Sequence, residues 1–135
     1  MSIVVYKAIR RTLSGRLRSI ATPDEEWSVY YNVGEKAFPK KQSYLFAFDS
    51  LTHATDFYES FRISRVDGEI WEAMADTLIC KGGQGTLYLH QFGKFWKCIN
   101  EGIDLISSNI MVWDATEFLG SVWADNLTLI KKIHP

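Results

Sequence analysis

Apolar positions along the chain fall into short blocks separated by polar punctuation, and two of these blocks carry a helical period. Tyr44–Phe48 is an unbroken, aromatic-rich run, the pattern of a strand covered on both faces. Asp49 and Ser50 follow, and either side chain can accept from the free N–H groups of a helix's first turn. Leu51, Ala54, Phe57, Tyr58 and Phe61 then recur at steps of three and four, which predicts a helix over about 50–61 with one apolar stripe facing a sheet. Phe92, Phe95, Trp96, Ile99 and Ile103 repeat that spacing and predict a second helix over about 91–101. Gly102 is placed to end it, and Gly93 weakens its start.

The remaining blocks have strand character. Ile3–Arg10 is β-branched and aromatic, Thr12–Gly15 supplies a turn, and Arg16–Ile20 returns as a hairpin partner. Lys7 and Ile9 share one side of the first strand, so its pattern leaves open which face is buried. Trp27–Val33 alternates, with Trp27, Val29, Tyr31 and Val33 on one side. Residues 34–43, with Pro39, Lys40 and Lys41, read as an exposed loop. Val66–Gly68 reads as a turn, Glu69–Ala75 as a strand with blurred alternation, and Lys81–Gly85 as a flexible glycine loop. Thr86–Leu89 and Asn109–Trp113 are short strand candidates. Phe118–Gly120 turns the chain into Ser121–Ile133, one long strand or two joined at Asp125-Asn126. The expected fold is a single α+β domain, a largely antiparallel sheet with the first helix packed on one face.

Composition sharpens this only in part. With 135 residues, 47% apolar and 14% aromatic, the chain can build a core without metal or disulfide support. A net charge of −1 gives no global pull toward nucleic acid or an anionic membrane. The charge is nevertheless segregated. Lys7, Arg10, Arg11, Arg16 and Arg18 make the first 22 residues purely basic, whereas Cys98–Ile130 holds Glu101, Asp104, Asp114, Glu117 and Asp125 without a Lys or Arg. This split, with a closing strand expected at a sheet edge, points to a protein partner or self-association. Cys80 and Cys98 fit neither a disulfide framework nor a CxxC motif and are expected as free thiols. No apolar run is long enough to span a membrane, and no signal peptide is visible, so a cytoplasmic location is expected.

Several short signatures carry a resemblance. They are Val5-Tyr6-Lys7-Ala8, Gly15-Arg16-Leu17, Tyr30–Glu35, Leu45–Ala54, Ile70-Trp71-Glu72 and Gly120–Leu129. In this order they resemble a loose group of small uncharacterised phage and prophage proteins, which would place the chain in the host cytoplasm. The group carries no established activity, so the resemblance implies no functional residue. The stretch from Thr77 to Asn109 departs from the pattern and looks longer than usual.

No catalytic motif stands in the chain. Lys81-Gly-Gly-Gln-Gly85 could cradle a phosphate with backbone N–H groups, but it lacks the full Walker spacing. Cys80, His90 and Cys98 match no common zinc spacing, and no cofactor is implied. His53 has Asp49 and Asp56 within helical reach but no nucleophile placed nearby, so a solvated helix face is expected. The late Glu-x-Glu loop of ADP-ribosyltransferases has no counterpart. The early arginines with Tyr6, Trp27, Tyr30 and Tyr31 could form a basic aromatic sheet, yet a pI of 6.3 and the missing RNP motif argue against nucleic acid. The expectation is therefore a non-enzymatic binding or interaction protein, in phage terms an accessory factor. The alternative is a small enzyme or ligand-sequestering protein for a nucleotide-like, phosphate-containing molecule, held by Arg16, Arg18, Tyr31, Lys81, Gly83 and Gly85.

Overall fold

The computed structural model describes residues 2–19, 29–40, 44–60, 68–81, 85–86, 92–103, 108, 112–113 and 121–134. The expectations for Trp27, Phe61, Gly83, His90 and Phe118–Gly120 lie outside these residues. Antiparallel pairing dominates, and the fold is α+β as the alternating blocks predict. The strands are β1 (Ile3–Arg11), β2 (Leu17–Ser19), β3 (Tyr30–Tyr31), β4 (Lys36–Ala37), β5 (Leu45–Phe48), β6 (Gly68–Ala75), β7 (Leu78–Lys81), β8 (Gly85–Thr86), β9 (Val112–Trp113), β10 (Ser121–Ala124) and β11 (Leu127–His134). The helices are α1 (Leu51–Ser60) and α2 (Phe92–Glu101). The main sheet runs β4-β11-β6-β1-β5-β10-β7, with β2 and β3 branching from β1, while β8 and β9 form a separate pair.

Two connections decide the architecture. Asp76-Thr77 joins β6 to β7, and Asp125-Asn126 joins β10 to β11, although the strands of each pair lie far apart in the sheet order. Two residues can join them only if the sheet curls until its ends meet. Met74 opposes Thr128 before the bend and Leu78 opposes Ala124 after it, the same register on either side. β6–β7 and β10–β11 are thus two long strands in one antiparallel ladder that bend together. In this register Asn126 stands opposite Asp76. Its side-chain Oδ1 accepts from the Asp76 backbone N–H at 3.2 Å, and its Nδ2 donates to Asp125 Oδ1 at 3.0 Å. Asn126 is buried, so its amide serves where a ladder bond is interrupted.

The bend closes a ring of β1, β5, β10–β11 and β6, because β1 pairs with β5, β5 with β10, and β11 with β6. Inside sit Val5, Ile9, Leu45, Ala47, Ala73, Ala75, Val122, Ala124, Leu127 and Leu129, all in one buried cluster. A ring of so few strands leaves little room inside, which accounts for the alanines that blur the alternation of β6. Tyr30–Ala37 bridges a second gap: β3 pairs with β2, β4 pairs with β11, and Gly34 N donates to Leu129 O at 2.9 Å. Gly34 has φ 83°, a conformation that favours glycine. Within the expected loop 34–43, Lys36–Ala37 forms β4 and Ala37 enters the core, while Val33 leaves the expected stripe and is exposed in the turn.

Both helices cover the outer side. Ser50 Oγ accepts from His53 N at 3.2 Å and caps α1, whose Ala54 and Tyr58 pack on Phe48 and Ile70. Leu51 at the start of that stripe is partly exposed. α2 ends as predicted at Gly102, φ 69°, where Ile103 N bonds Cys98 O and Gly102 N bonds Ile99 O, the paired bonds of a Schellman cap. Ile103 lies past that cap and is exposed, so it does not extend the apolar stripe. Phe95 and Trp96 are fully buried against Phe46, Tyr44 and Trp123, with ring centroids 5.0–6.4 Å apart. The closing strand is no free edge over its first half: β10 lies between β5 and β7, and β11 between β6 and β4 at Leu127 and Thr128.

Two substitutions test this architecture. Asn126→Ala leaves the Asp76 N–H without its acceptor and is expected to lower unfolding free energy by about 1–3 kcal/mol in urea titration. Trp96→Ala removes the largest fully buried side chain and is expected to cost about 3–5 kcal/mol by the same measurement.

Candidate functional site

Alternate residues of β1 face opposite sides of the sheet, which sorts the charged groups of the basic N-terminal segment into two sets. Lys7, Ile9 and Arg11 share the inner side with Val5, which settles the face that the sequence leaves open. Lys7 is buried opposite Trp71, and its Nζ donates to Phe46 O. Burial pushes its pKa from the ordinary lysine value down to about 7. Further along, Arg11 grips Glu69 with two bonds, Nε to Oε2 at 2.8 Å and Nη2 to Oε1 at 3.1 Å. Trp71 Nε1 donates to the same carboxylate at 2.9 Å. Burial pulls the Glu69 pKa upward, but Arg11, Trp71 and Lys132 together hold it below the ordinary glutamate value. These inner groups are committed to one another and to the fold.

The outer side differs. Arg10 stands directly opposite Arg18, and Arg18 opposite Tyr30, so one row crosses β1, β2 and β3. The Arg16 guanidinium lies 3.9 Å from the Tyr30 ring centroid and that of Arg18 lies 5.6 Å away. Such contacts hold the cations in place with about 0.5–1 kcal/mol each at exposed sites. Arg10 Nε is buried and lacks a hydrogen-bond partner among the described residues. Arg10 and Arg18 thus place like charges directly opposite across two strands, an arrangement that an anion would stabilise.

The residues expected from the sequence divide accordingly. Arg16 and Arg18 fall on this outer face, joined by Arg10 and Tyr30. Tyr31 points the other way into the core, because neighbours in a strand take opposite faces. Lys81 and Gly85 belong to β7 and β8; along the sheet β1, β5 and β10 lie between β2 and β7. Gly83 is outside the described residues. His53 Nδ1 pairs with Asp49 Oδ1 at 2.6 Å, a local i,i+4 contact between the first turn of α1 and the residues before it. Cys98 is a buried free thiol on α2, and no group of three metal-ligating side chains occurs among the described residues. Among them no helix is long and apolar enough to cross a membrane. The signal that could have found Arg10 is the Arg-Arg pair itself: in a strand its two members must part, one inward to Glu69 and one outward.

Glu69→Gln is expected to lower stability at neutral pH by about 1–3 kcal/mol, since a charge-assisted fork is lost. The Glu69 pKa is depressed on folding, so its contribution is present above the ordinary glutamate range and vanishes as pH falls through the lower folded value. Urea midpoints of the two proteins should therefore converge below about pH 4. A gap that persists in acid would mean that the carboxylate's charge is not what Glu69 contributes. Set beside known proteins, the chain matches no family model, no curated protein and no solved structure.

Proposed function

We propose that the protein is a non-catalytic binding module whose outer β1–β2–β3 face receives an anionic segment of a protein partner. The observation that carries this reading is the row Arg10–Arg18–Tyr30 with Arg16 stacked on the same ring. A carboxylate or phosphate accepting from several guanidinium N–H groups relieves the repulsion between them and makes charge-assisted bonds. An acidic peptide fits better than a small nucleotide because the row spans three strands, with Arg10 on β1, Arg18 on β2 and Tyr30 on β3. A nucleotide-like ligand is the second reading, favoured by the Arg10–Arg18 opposition, which suits a compact doubly charged phosphate.

Calorimetric titration with a Glu/Asp-rich peptide, and separately with nucleotides and inorganic phosphate, distinguishes the two. The peptide is expected to bind in a salt-sensitive manner, and Arg16→Ala or Arg18→Ala to weaken it about tenfold or more. Tighter binding of a nucleotide than of the peptide, weakened by the same substitutions, would establish the second reading. No binding of any of these anions, or binding unchanged in both variants, would refute the arginine row as the site.

A further inference from the structure

β1 changes partner partway along one edge. It joins β5 at the single pair Tyr6–Phe48, then turns to β2 from Ile9 to Arg11, while its other edge is paired with β6 from Ile3 to Arg10. The seam between β5 and β2 opens beside Lys7, whose Nζ reaches across it to Phe46 O. We propose that Lys7 is a proton-operated latch on this seam: the neutral amine keeps β5 against β1, and proton uptake favours an open form in which β5 parts from β1 and Lys7 reaches water.

The surroundings of Lys7 decide the direction. Among the described residues, the ionisable groups on its own face are Arg11 on β1, Glu69 on β6, Lys132 opposite Trp71 on β11 and Tyr31 on β3. Glu69 is already held by Arg11 and Trp71, and the other two cations add positive charge rather than offset it. β5 and β10 present Leu45, Ala47, Val122 and Ala124 to this side, β2 presents Leu17, and β4 presents Ala37. The ionisable residues of α1 and α2 lie on helices packed against the opposite side of the sheet. An ammonium here has three donors and the Phe46 carbonyl, with no carboxylate among the described residues left to balance it, so its charged form is disfavoured. The cheapest relief is the joint held by one pair, not the long β1–β6 ladder.

The sign follows from a pKa that is depressed in the closed form and ordinary in the open one. Closure is favoured most above the ordinary lysine value, weakens as pH falls toward about 7, and is constant below that. Between pH 9 and pH 6 the open population is expected to rise about a hundredfold. Amide hydrogen exchange of the wild-type chain at these two pH values, corrected for intrinsic rates, reads this directly. The Phe48 amide, on the residue paired with Tyr6, is expected to be less protected than those of Ile70–Ala73 and to lose about a hundredfold in protection at the lower pH. Lys7→Met is expected to abolish that pH dependence. Equal protection of β5 and β6, which would mean that the seam opens only on global unfolding, overturns the latch. So does wild-type protection of β5 that ignores pH, or a pH dependence that survives in Lys7→Met.

Discussion

The joint bend of two paired strands is the constraint on which the rest of the molecule depends. β6–β7 and β10–β11 keep one register through the corner, and the buried amide of Asn126 supplies an acceptor where the ladder is interrupted. Without that corner the main sheet would be an open array with two unpaired edges and an apolar face too wide to cover. With it, the sheet returns on itself, and the inner side chains of eight strands meet in one cluster. The narrow interior then demands small residues, and Ala47, Ala73, Ala75 and Ala124 meet that demand.

Closure also sorts the charge. Residues turned inward must find partners, because an unpaired buried charge is costly. Arg11 and Glu69 do so with near-ideal fork geometry, and Trp71 completes the set. Among the described residues Lys7 has a backbone carbonyl alone, and burial makes it give up its proton more readily. On the outer side Arg10, Arg16 and Arg18 gather beside Tyr30. One basic segment thus contributes both to internal electrostatics and to a cationic surface. The division between the two is set by strand parity.

What the sequence by itself determined is whatever local chemistry decides. The Ser50 cap, the apolar stripes of both helices, the Gly15 turn and the Gly102 stop all follow from spacing and from the conformations that glycine and short polar side chains favour. The strand character of β1, β5 and β6 was equally legible, as was the coverage of β5 on both faces. Two arginines of the outer row could be named as ligand candidates, since residue type alone suggests an anion.

What only the tertiary structure decided is everything that depends on long-range pairing. No local rule tells Tyr30 from Tyr31, so which ring meets Arg16 and which enters the core awaited the register of β3 on β2. Ala37 joins the core because β11 arrives beside it, and Lys7 is buried because β6 fixes the inner side of β1. The pairing of the basic N-terminus with a glycine loop looked plausible along the chain, yet in the sheet three strands stand between β2 and β7. Asp125-Asn126 could equally have been a hairpin tip or a break in one strand. It became a corner because closing the sheet buries far more apolar surface than leaving its ends apart, and that gain exists only when distant strands meet.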